Sequence, residues 1–269
     1  MKKNIAIIVS ENDLAGLNIK DRLVSGFGFS KKHEIFDGYD IMARAGSRLY
    51  TLKTDTVFAE NLDKLIDADL FIFATRHQAS SEMSTLSVHT PGNFGTADFG
   101  GSDGKICVSL PFLMKKALTK LNAYNSIAYN VTMEATHHGP YLEKPAMFIE
   151  IGSTEKQWQN AEAGNIIART VSELTDEEFE PSGSAAVGIG GPHYCSGFNK
   201  FCFEGNFAVG HVCPKYHADN IDKAMLLQLA EKTSPRTEMF LIDWKGLNSA
   251  QRSSITSMID NLGFKYLKA

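Results

Sequence analysis

The sequence lacks the long apolar run that a membrane-spanning protein needs. No stretch of the chain approaches the ~18 consecutive apolar residues of a membrane helix, so we expect no spanning segment. Two lysines precede the apolar run 5–9 (IAIIV), as at the start of a secretory signal. The run stops at the polar residues 10–13 (SEND), and we therefore interpret it as an N-terminal strand. The chain is expected to be cytoplasmic.

Cysteine and an excess of positive charge are also missing. Four cysteines in 269 residues are too few for a disulfide scaffold, which favours a reduced, intracellular protein. The 27 Lys and Arg residues against 31 Asp and Glu residues give a formal net charge of -4. The chain thus lacks the basic excess of a nonspecific nucleic-acid binder. Local basic clusters at 44–53 and 115–120 are the candidates for contact with a polyanion.

Short β-rich runs alternate with helical patterns along almost the whole chain. This order predicts a three-layer α/β/α sandwich around a mostly parallel, mixed sheet. The predicted strands are 5–9, 48–51, 70–74, 106–110, 131–135, 146–151, 185–189, 207–211 and 239–243, and the predicted helices are 15–24, 112–121, 155–174, 221–231 and 248–262. The alternation resumes directly after the surface loop predicted at 174–184. We therefore predict one domain over residues 1–269.

The stretch 75–105 fits neither a helix nor a strand. It holds five glycines and many hydroxyl residues, and it follows an apolar strand directly. Loops of this length inside a compact domain are usually functional, and open α/β sheets bind ligands where their strands end. We therefore predict a functional loop over 75–105.

Seven of the eight histidines lie in four short segments, each after or at the end of a predicted strand. These segments are 76–89, 136–140, 191–195 and 211–217. Loops converge at that edge of a sheet, so the imidazoles could share one pocket.

The run 136–140 (THHGP) is the most specific of these signals. Adjacent histidines on extended backbone point in different directions, so one can face a substrate while the other binds a metal or orients its neighbour. The Gly-Pro pair that follows is typical of a turn. A surface turn that happens to hold two histidines is the alternative.

Two glutamates stand on strand-like runs among apolar neighbours. A buried acid such as Glu134 or Glu150 is either paired or functional. Glu150 also precedes Ser153 and Thr154 at the start of the helix predicted at 155–174. Backbone N–H groups there could bind an anion or a developing oxyanion. Alternatively, the two hydroxyl residues only cap the helix, with Gln157 completing a capping box.

Histidine and cysteine, two residue types that bind zinc, are frequent between residues 193 and 217. Their spacing matches no zinc finger or zinc ribbon. A catalytic zinc ion, held by a carboxylate and by histidines that are far apart in the sequence, remains an alternative. The sequence does not identify its ligands. The run 188–191 (GIGG) could hold a phosphate, although it lacks the Lys-Ser/Thr pair of a P-loop.

Taken together, these segments resemble the archaeal-type D-aminoacyl-tRNA deacylases, a family also found in plants. The matching stretches are 75–77 (TRH), 87–93 (SVHTPGN), 134–140 (EATHHGP), 148–153 (FIEIGS), 190–194 (GGPHY) and 210–211 (GH). The resemblance implies a phosphorylase/hydrolase-like α/β fold and hydrolysis of the ester that joins a D-amino acid to the terminal ribose of tRNA. It also implies zinc as the cofactor, the acceptor end of D-aminoacyl-tRNA as the partner and a cytoplasmic setting. We expect a monomer without a protein partner.

The resemblance suggests a role for each candidate residue. The catalytic candidates are His137, His138, Glu134 and Glu150. The substrate-binding candidates are Gly190, Gly191, Ser153 and Thr154. The metal-binding candidates are His77, His89, His193 and His211.

Other classes of protein remain open on the residues alone. A nucleoside phosphorylase would use 188–191 for phosphate, and a zinc-dependent peptidase would use the His and Glu residues. A non-catalytic tRNA-binding module is the third alternative, but the acidic net charge argues against it.

Overall fold

A computed structural model describes residues 4–177 and 181–269 of the chain. The strands within these residues are β1 (Ile5–Ser10), β2 (Ser30–Phe36), β3 (Tyr39–Arg44), β4 (Ser47–Leu52), β5 (Leu70–Gln78), β6 (Thr85–His89), β7 (Asn130–Met133), β8 (Ala146–Ser153), β9 (Ser184–Ile189), β10 (Phe207–Cys213), β11 (Met239–Ile242) and β12 (Lys265–Lys268). The α-helices are α1 (Leu14–Gly26), α2 (Leu62–Leu65), α3 (Pro111–Tyr124), α4 (Glu155–Trp158), α5 (Ala161–Asp176), α6 (Ser196–Phe203), α7 (Lys223–Glu231) and α8 (Ser249–Asn261).

The strands form two sheets. The large sheet has the order β2-β3-β4-β1-β5-β8-β6-β7. Its centre, β4-β1-β5-β8, is parallel, whereas the hairpins β2-β3-β4 and the β8-β6 pair are antiparallel. The small sheet has the order β10-β9-β11-β12 and is parallel throughout. The prediction of an α/β fold with a mixed sheet is confirmed.

Helices cover one face of the large sheet. The helix α1 contacts β5, and α3 contacts β6. The helix α5 packs on α1, on α3 and on β8. Apolar side chains such as Ile72, Ile149 and Ile167 are fully buried in this layer. Burial of such side chains, at roughly 25 cal/mol per Å² of apolar surface, is the main force that joins sheet and helices.

The opposite face of the large sheet is covered mainly by irregular segments. A 3₁₀ turn (Thr56–Phe58), the short α2 and irregular segments cover it, in place of a full helical layer. Phe73 and Phe148 stack on this face at a ring-centroid distance of 4.6 Å. The covering segments are rich in Gly, Pro and polar residues, which do not sustain long helices. The small sheet is a three-layer unit, with α3 and α6 on one face and α7 and α8 on the other.

The two sheets share one apolar cluster. Val209 of β10 and Leu241 of β11 belong to the same buried cluster as Ile72 of β5. The helix α3 contacts strands of both sheets. The single domain over residues 1–269 stays a prediction, and this shared cluster is consistent with it.

Several predicted elements differ from the structure. The predicted strand 106–110 makes only isolated bridges, such as Val108 with Pro145. The predicted helix 155–174 is broken after Trp158, where Asn160 accepts backbone hydrogen bonds and begins α5. The predicted loop 75–105 contains the end of β5 and all of β6. The loop predicted at 174–184 includes residues 178–180, which lie outside the described residues. No helix in the described ranges is both long enough and apolar enough to cross a membrane.

Candidate active site

The candidate active site lies on the face of the large sheet that loops cover. Thr75 on β5, Glu150 on β8 and Ser87 on β6 lie side by side in strand register. Side chains two positions apart share a face of a strand, so His77 and His89 project to the same side as these three. All five are buried. A polar row across the centre of a sheet is unusual in a purely structural core.

Glu134 lies at the centre of a cluster of buried and half-buried His and Glu side chains, which we call the cluster: His77, His89, Glu134, His137, His138, Glu150 and His193. It follows β7 directly, and its Oε2 lies 3.0 Å from Nδ1 of His77, 3.0 Å from Nε2 of His193 and 3.8 Å from Nε2 of His137. Burial alone would raise the pKa of Glu134, but hydrogen bonds from His193 and His77 outweigh burial and hold the pKa well below its usual range. At neutral pH Glu134 is therefore an anion among three imidazoles.

The two imidazoles closest to Glu134 each have a tyrosine on the opposite ring nitrogen. Nε2 of His77 lies 3.2 Å from the hydroxyl of Tyr194, and Nδ1 of His193 lies 3.3 Å from the hydroxyl of Tyr216. Burial lowers the pKa of both histidines, but hydrogen bonding to Glu134 outweighs it, and both pKa values are raised. The orientation of these rings is thus held on both sides.

His137 and His138 are neutral and have one defined tautomer. Nδ1 of His137 lies 2.7 Å from the carbonyl oxygen of Ala135, and Nδ1 of His138 lies 2.6 Å from that of Gly139. A carbonyl oxygen only accepts, so the proton is on Nδ1 and each Nε2 has a free lone pair. Burial lowers the pKa of both rings, to about 3 for His138. Both rings can therefore offer Nε2 to a cation at neutral pH.

His89 and Glu150 form a second buried pair. Nδ1 of His89 lies 3.3 Å from the carbonyl oxygen of Thr90, so its Nε2 lone pair faces Oε2 of Glu150 at 3.4 Å. Burial raises the pKa of Glu150 to about 8, and the charge of Glu134 adds to the increase. The hydroxyl of Thr75 donates to Oε1 of Glu150 at 2.8 Å. A cation bound nearby would lower this pKa and favour the ionised carboxylate.

Three buried polar atoms of the cluster have no hydrogen-bond partner in the structure: Oε1 of Glu134, Oε2 of Glu150 and Nε2 of His89. An unpaired buried polar atom is costly, so three in one cluster indicate a missing ligand. Three overlapping groups have ligand atoms within 4.8 Å of one another: His77, Glu134, His137 and His193; His89, His137 and His138; and His89, Glu134 and Glu150. These buried groups are positioned to hold a metal ion.

A cavity of about 960 Å³ opens above the cluster. Its wall includes His77, His137, His138, Glu150 and His193. The end of β5 and the segments 55–58 and 92–99 form much of the remaining wall. This volume is in the range of small-molecule sites, so a substrate can reach the reactive groups directly.

The structure brings together seven of the twelve residues predicted for the site. These are His77, His89, Glu134, His137, His138, Glu150 and His193. The other five belong to none of the three groups and line no part of the cavity wall described above.

His211 is one of the five. Its Nε2 lies 3.4 Å from the carbonyl oxygen of Lys232, and its Nδ1 lies 3.2 Å from the hydroxyl of Thr136. Burial lowers the pKa of His211 to about 4, so the ring is neutral. His211 is fully buried, and it belongs to none of the three groups of candidate metal ligands.

The four substrate-binding candidates have structural contacts. A Cβ on Gly190 or Gly191 would lie 3.1 Å from atoms of Asp243, and both glycines have positive φ values. The hydroxyl of Ser153 donates to the carbonyl oxygen of Met83 at 2.6 Å. Thr154 forms the capping box with Gln157 that the sequence predicts. The observed contacts of Ser153 and Thr154 correspond to the capping alternative.

The sequence reasoning missed two tyrosines. Tyr194 and Tyr216 contact the cluster histidines and line the cavity. Each stands directly beside a histidine in the sequence, and that adjacency is the signal that could have found them.

Comparison with known proteins agrees with this geometry. Residues 65–267 match the family model for D-aminoacyl-tRNA deacylase.

The chain belongs to the D-aminoacyl-tRNA deacylase family.

Curated deacylases align with it over nearly their whole length. The D-aminoacyl-tRNA deacylase of Thermococcus onnurineus is 34% identical over 269 residues, which cover 97% of this chain and 98% of that protein. The deacylase of Pyrococcus horikoshii is 34% identical over 271 residues, with the same coverage. The crystal structure of a conserved protein of unknown function, AF0625, superposes with a TM-score of 0.89 at 30% identity and covers 98% of this chain and 94% of that one. The family resemblance predicted from the sequence segments is confirmed.

Proposed function

We propose that this deacylase-family chain hydrolyses the ester bond of D-aminoacyl-tRNA and releases the free D-amino acid and tRNA. The supporting observation is the position of Glu134, whose Oε2 lies 3.0 Å from two imidazoles beneath an open cavity. An aminoacyl ester is already activated, so a positioned water, a base and a stabiliser of the oxyanion suffice.

We propose zinc as the metal of the cluster. Imidazole nitrogens and carboxylate oxygens are donors that zinc prefers, and the unpaired buried atoms of Glu134, Glu150 and His89 fit a site that binds a cation. His77, His137, His193 and Glu134 would hold the ion. Bound zinc would lower the pKa of its water to ~7 and polarise the ester carbonyl.

The remaining residues would orient the substrate and move the proton. His138 lines the cavity and its Nε2 has a free lone pair, so His138 would be placed to take a proton from the attacking water. The anionic Glu134 would keep His77 and His193 in place. Glu150 would orient His89, whose Nε2 lies 3.4 Å away. The four candidates at Gly190, Gly191, Ser153 and Thr154 would then support the site from outside the cavity.

The contact with the tRNA acceptor end, the monomeric state and the cytoplasmic location also stay proposals. The cavity of about 960 Å³ is of small-molecule size, so we propose that only the unpaired acceptor end of the tRNA would enter it. The three ligand groups form within one copy of the chain, so the proposed chemistry does not require a second copy, and the monomer is kept as a proposal. We propose a cytoplasmic location because aminoacylated tRNA is made and used there.

The alternatives are less consistent with the site. A phosphorylase would need the 188–191 run at the cavity, but Gly190 and Gly191 pack on Asp243. A passive tRNA-binding module gives no reason for a buried, anionic Glu134 beneath an open cavity.

The test is release of tyrosine from D-tyrosyl-tRNA and L-tyrosyl-tRNA, before and after chelation and zinc addition. We expect turnover of the D-ester only, loss of turnover with chelator and recovery with zinc. Turnover that resists a chelator which has removed all metal would contradict the zinc proposal. No turnover of either ester by the metal-loaded protein would contradict the deacylase proposal.

A further inference from the structure

Two phenylalanines remain exposed at the edge of the cavity. Phe58 is 51% exposed and Phe99 is 70% exposed, and both line the cavity. We call this pair the aromatic rim. Large apolar side chains that border a pocket yet stay open to solvent often mark a binding surface.

Close backbone contacts hold the aromatic rim in place. A Cβ on Gly100 would lie 1.9 Å from the carbonyl oxygen of Val57 and 3.2 Å from the ring of Phe58. The segments that bear the two rings are therefore in direct contact. The amide of Asn93 donates to the carbonyl oxygen of Gly100 at 2.9 Å. A ligand would meet a preformed surface, which lowers the entropy cost of binding.

The aromatic rim lies beside the reactive cluster. The backbone N–H of Gly139 donates to the carbonyl oxygen of Phe99 at 2.9 Å, and Gly139 directly follows His138. The ester of the proposed substrate is on the ribose of the terminal nucleoside. A substrate with its ester at His138 would therefore have its terminal nucleoside close to this wall.

The charges around the aromatic rim disfavour phosphate. Asp55 and Asp98 line the same part of the cavity, and Arg76 is the only Lys or Arg among the described residues of its wall. Phosphate binding generally relies on several cations. A base has an uncharged face that stacks on aromatic side chains, so a base fits this wall better.

We propose that Phe58 and Phe99 stack against the terminal, unpaired base of the tRNA and so position the ester over the cluster. This inference rests on the proposed function, because it takes tRNA as the substrate. It assigns a positioning role to two residues that belong to none of the metal-binding groups.

The test measures binding of uncharged tRNA and of the same tRNA without its terminal adenosine. With the wild-type chain, we expect removal of the adenosine to weaken binding at least about fivefold. Phe99→Ala and Phe58→Ala should each reduce this difference, and Phe99→Trp should retain it. Phe203→Ala is the matched control, because Phe203 is 39% exposed and does not line the cavity. Thermal midpoints check that each variant is folded.

The KM for D-tyrosyl-tRNA and for D-alanyl-tRNA provides the second measurement. Stacking on the base predicts that Phe99→Ala raises both KM values by the same factor. A rise confined to the tyrosyl ester would overturn the proposal, because the aromatic rim would then hold the amino-acid side chain.

Two results separate this inference from the proposed function. Wild-type binding that does not depend on the terminal adenosine overturns the stacking proposal even where D-tyrosyl-tRNA is hydrolysed. Absence of turnover with an intact adenosine dependence supports the stacking proposal and contradicts only the proposed reaction.

Discussion

The Nε2 atom of His137 lies 3.8 Å from Oε2 of Glu134, and both atoms are acceptors. Nδ1 of His137 carries the proton, because it donates a hydrogen bond to the carbonyl oxygen of Ala135 at 2.7 Å. Two lone pairs that face each other in a buried site repel unless a cation lies between them. This relationship gives His137 a role as a ligand in addition to its place in the cavity wall.

Glu134→Gln should remove most of the bound metal. The amide keeps the shape of the side chain but supplies no negative charge, so we expect zinc content and turnover to fall at least about 100-fold. Elemental analysis of the purified variant and D-tyrosyl-tRNA hydrolysis measure the two effects. Glu143→Gln is the control, because Glu143 pairs with Lys232 outside the cluster. Full zinc occupancy in Glu134→Gln would exclude Glu134 as a ligand.

His138→Asn should abolish turnover while the fold remains intact. His138 has a φ of 45°, and asparagine tolerates this left-handed region better than most residues. The variant therefore removes the proposed base with little backbone strain, and kcat should fall at least about 100-fold. The matched control is His33→Asn, at an exposed position on β2. An active His138→Asn protein with a normal thermal midpoint would eliminate His138 as the base.

His211→Gln should make the stability of the protein less sensitive to acid. The folded pKa of His211 is about 4, below the unfolded value of 6.5. Between pH 6.5 and 4 the unfolded chain therefore binds a proton that the folded chain does not, so wild-type stability falls as the pH falls through this window. One such group accounts for roughly 3 kcal/mol. Urea unfolding at several pH values should show a smaller decrease for the variant.

The zinc content of His211→Gln provides an independent measurement. We expect it to equal that of the wild type, because His211 belongs to none of the three groups of candidate metal ligands. A loss of zinc would instead support the metal-binding role that the sequence resemblance implies. Unfolding curves with equal pH dependence in both proteins would contradict the buried neutral state of the ring.

Gly100→Ala and Gly104→Ala separate backbone strain from close packing. Both glycines have positive φ values, +73° and +60°, but a Cβ at Gly104 meets nothing within 4 Å. We expect Gly104→Ala to cost about 1 kcal/mol of unfolding free energy, from strain alone. Gly100→Ala should cost at least about 1 kcal/mol more, because its Cβ would lie 1.9 Å from the carbonyl oxygen of Val57. Equal costs by urea denaturation would show that the Val57 contact relaxes freely.

Local sequence patterns were sufficient for the central strands and for most of the cluster. The apolar runs of β1, β5 and β8 predict buried strands, and the structure has buried strands there. The strand β2 was missed because almost all its residues are exposed and it shows no apolar alternation. His211 was grouped with the other histidines because the predicted strand ended at 211. The structure continues β10 to Cys213, which places His211 inside the strand.

Contacts between distant parts of the chain were not predictable from residue spacing. The basic clusters at 44–53 and 115–120 illustrate this. Arg44 pairs with Asp176 at 2.6 Å, and Lys120 pairs with Glu173 at 2.6 Å. Both acids lie on α5, more than fifty positions along the chain from the cations. Composition alone therefore did not show that these two cations are paired within the protein.

The cluster is built across the junction of the two sheets. His77 comes from a strand of the large sheet, and His193 from the loop after β9 of the small one. The backbone N–H of Ala135 donates to the carbonyl oxygen of His193 at 2.8 Å, directly beside Glu134. A fragment that stops at Asp176 would keep most of the large sheet but lose one of the two imidazoles nearest to Glu134. Hydrolytic activity would therefore require that the part of the chain that bears His193 has docked against the large sheet.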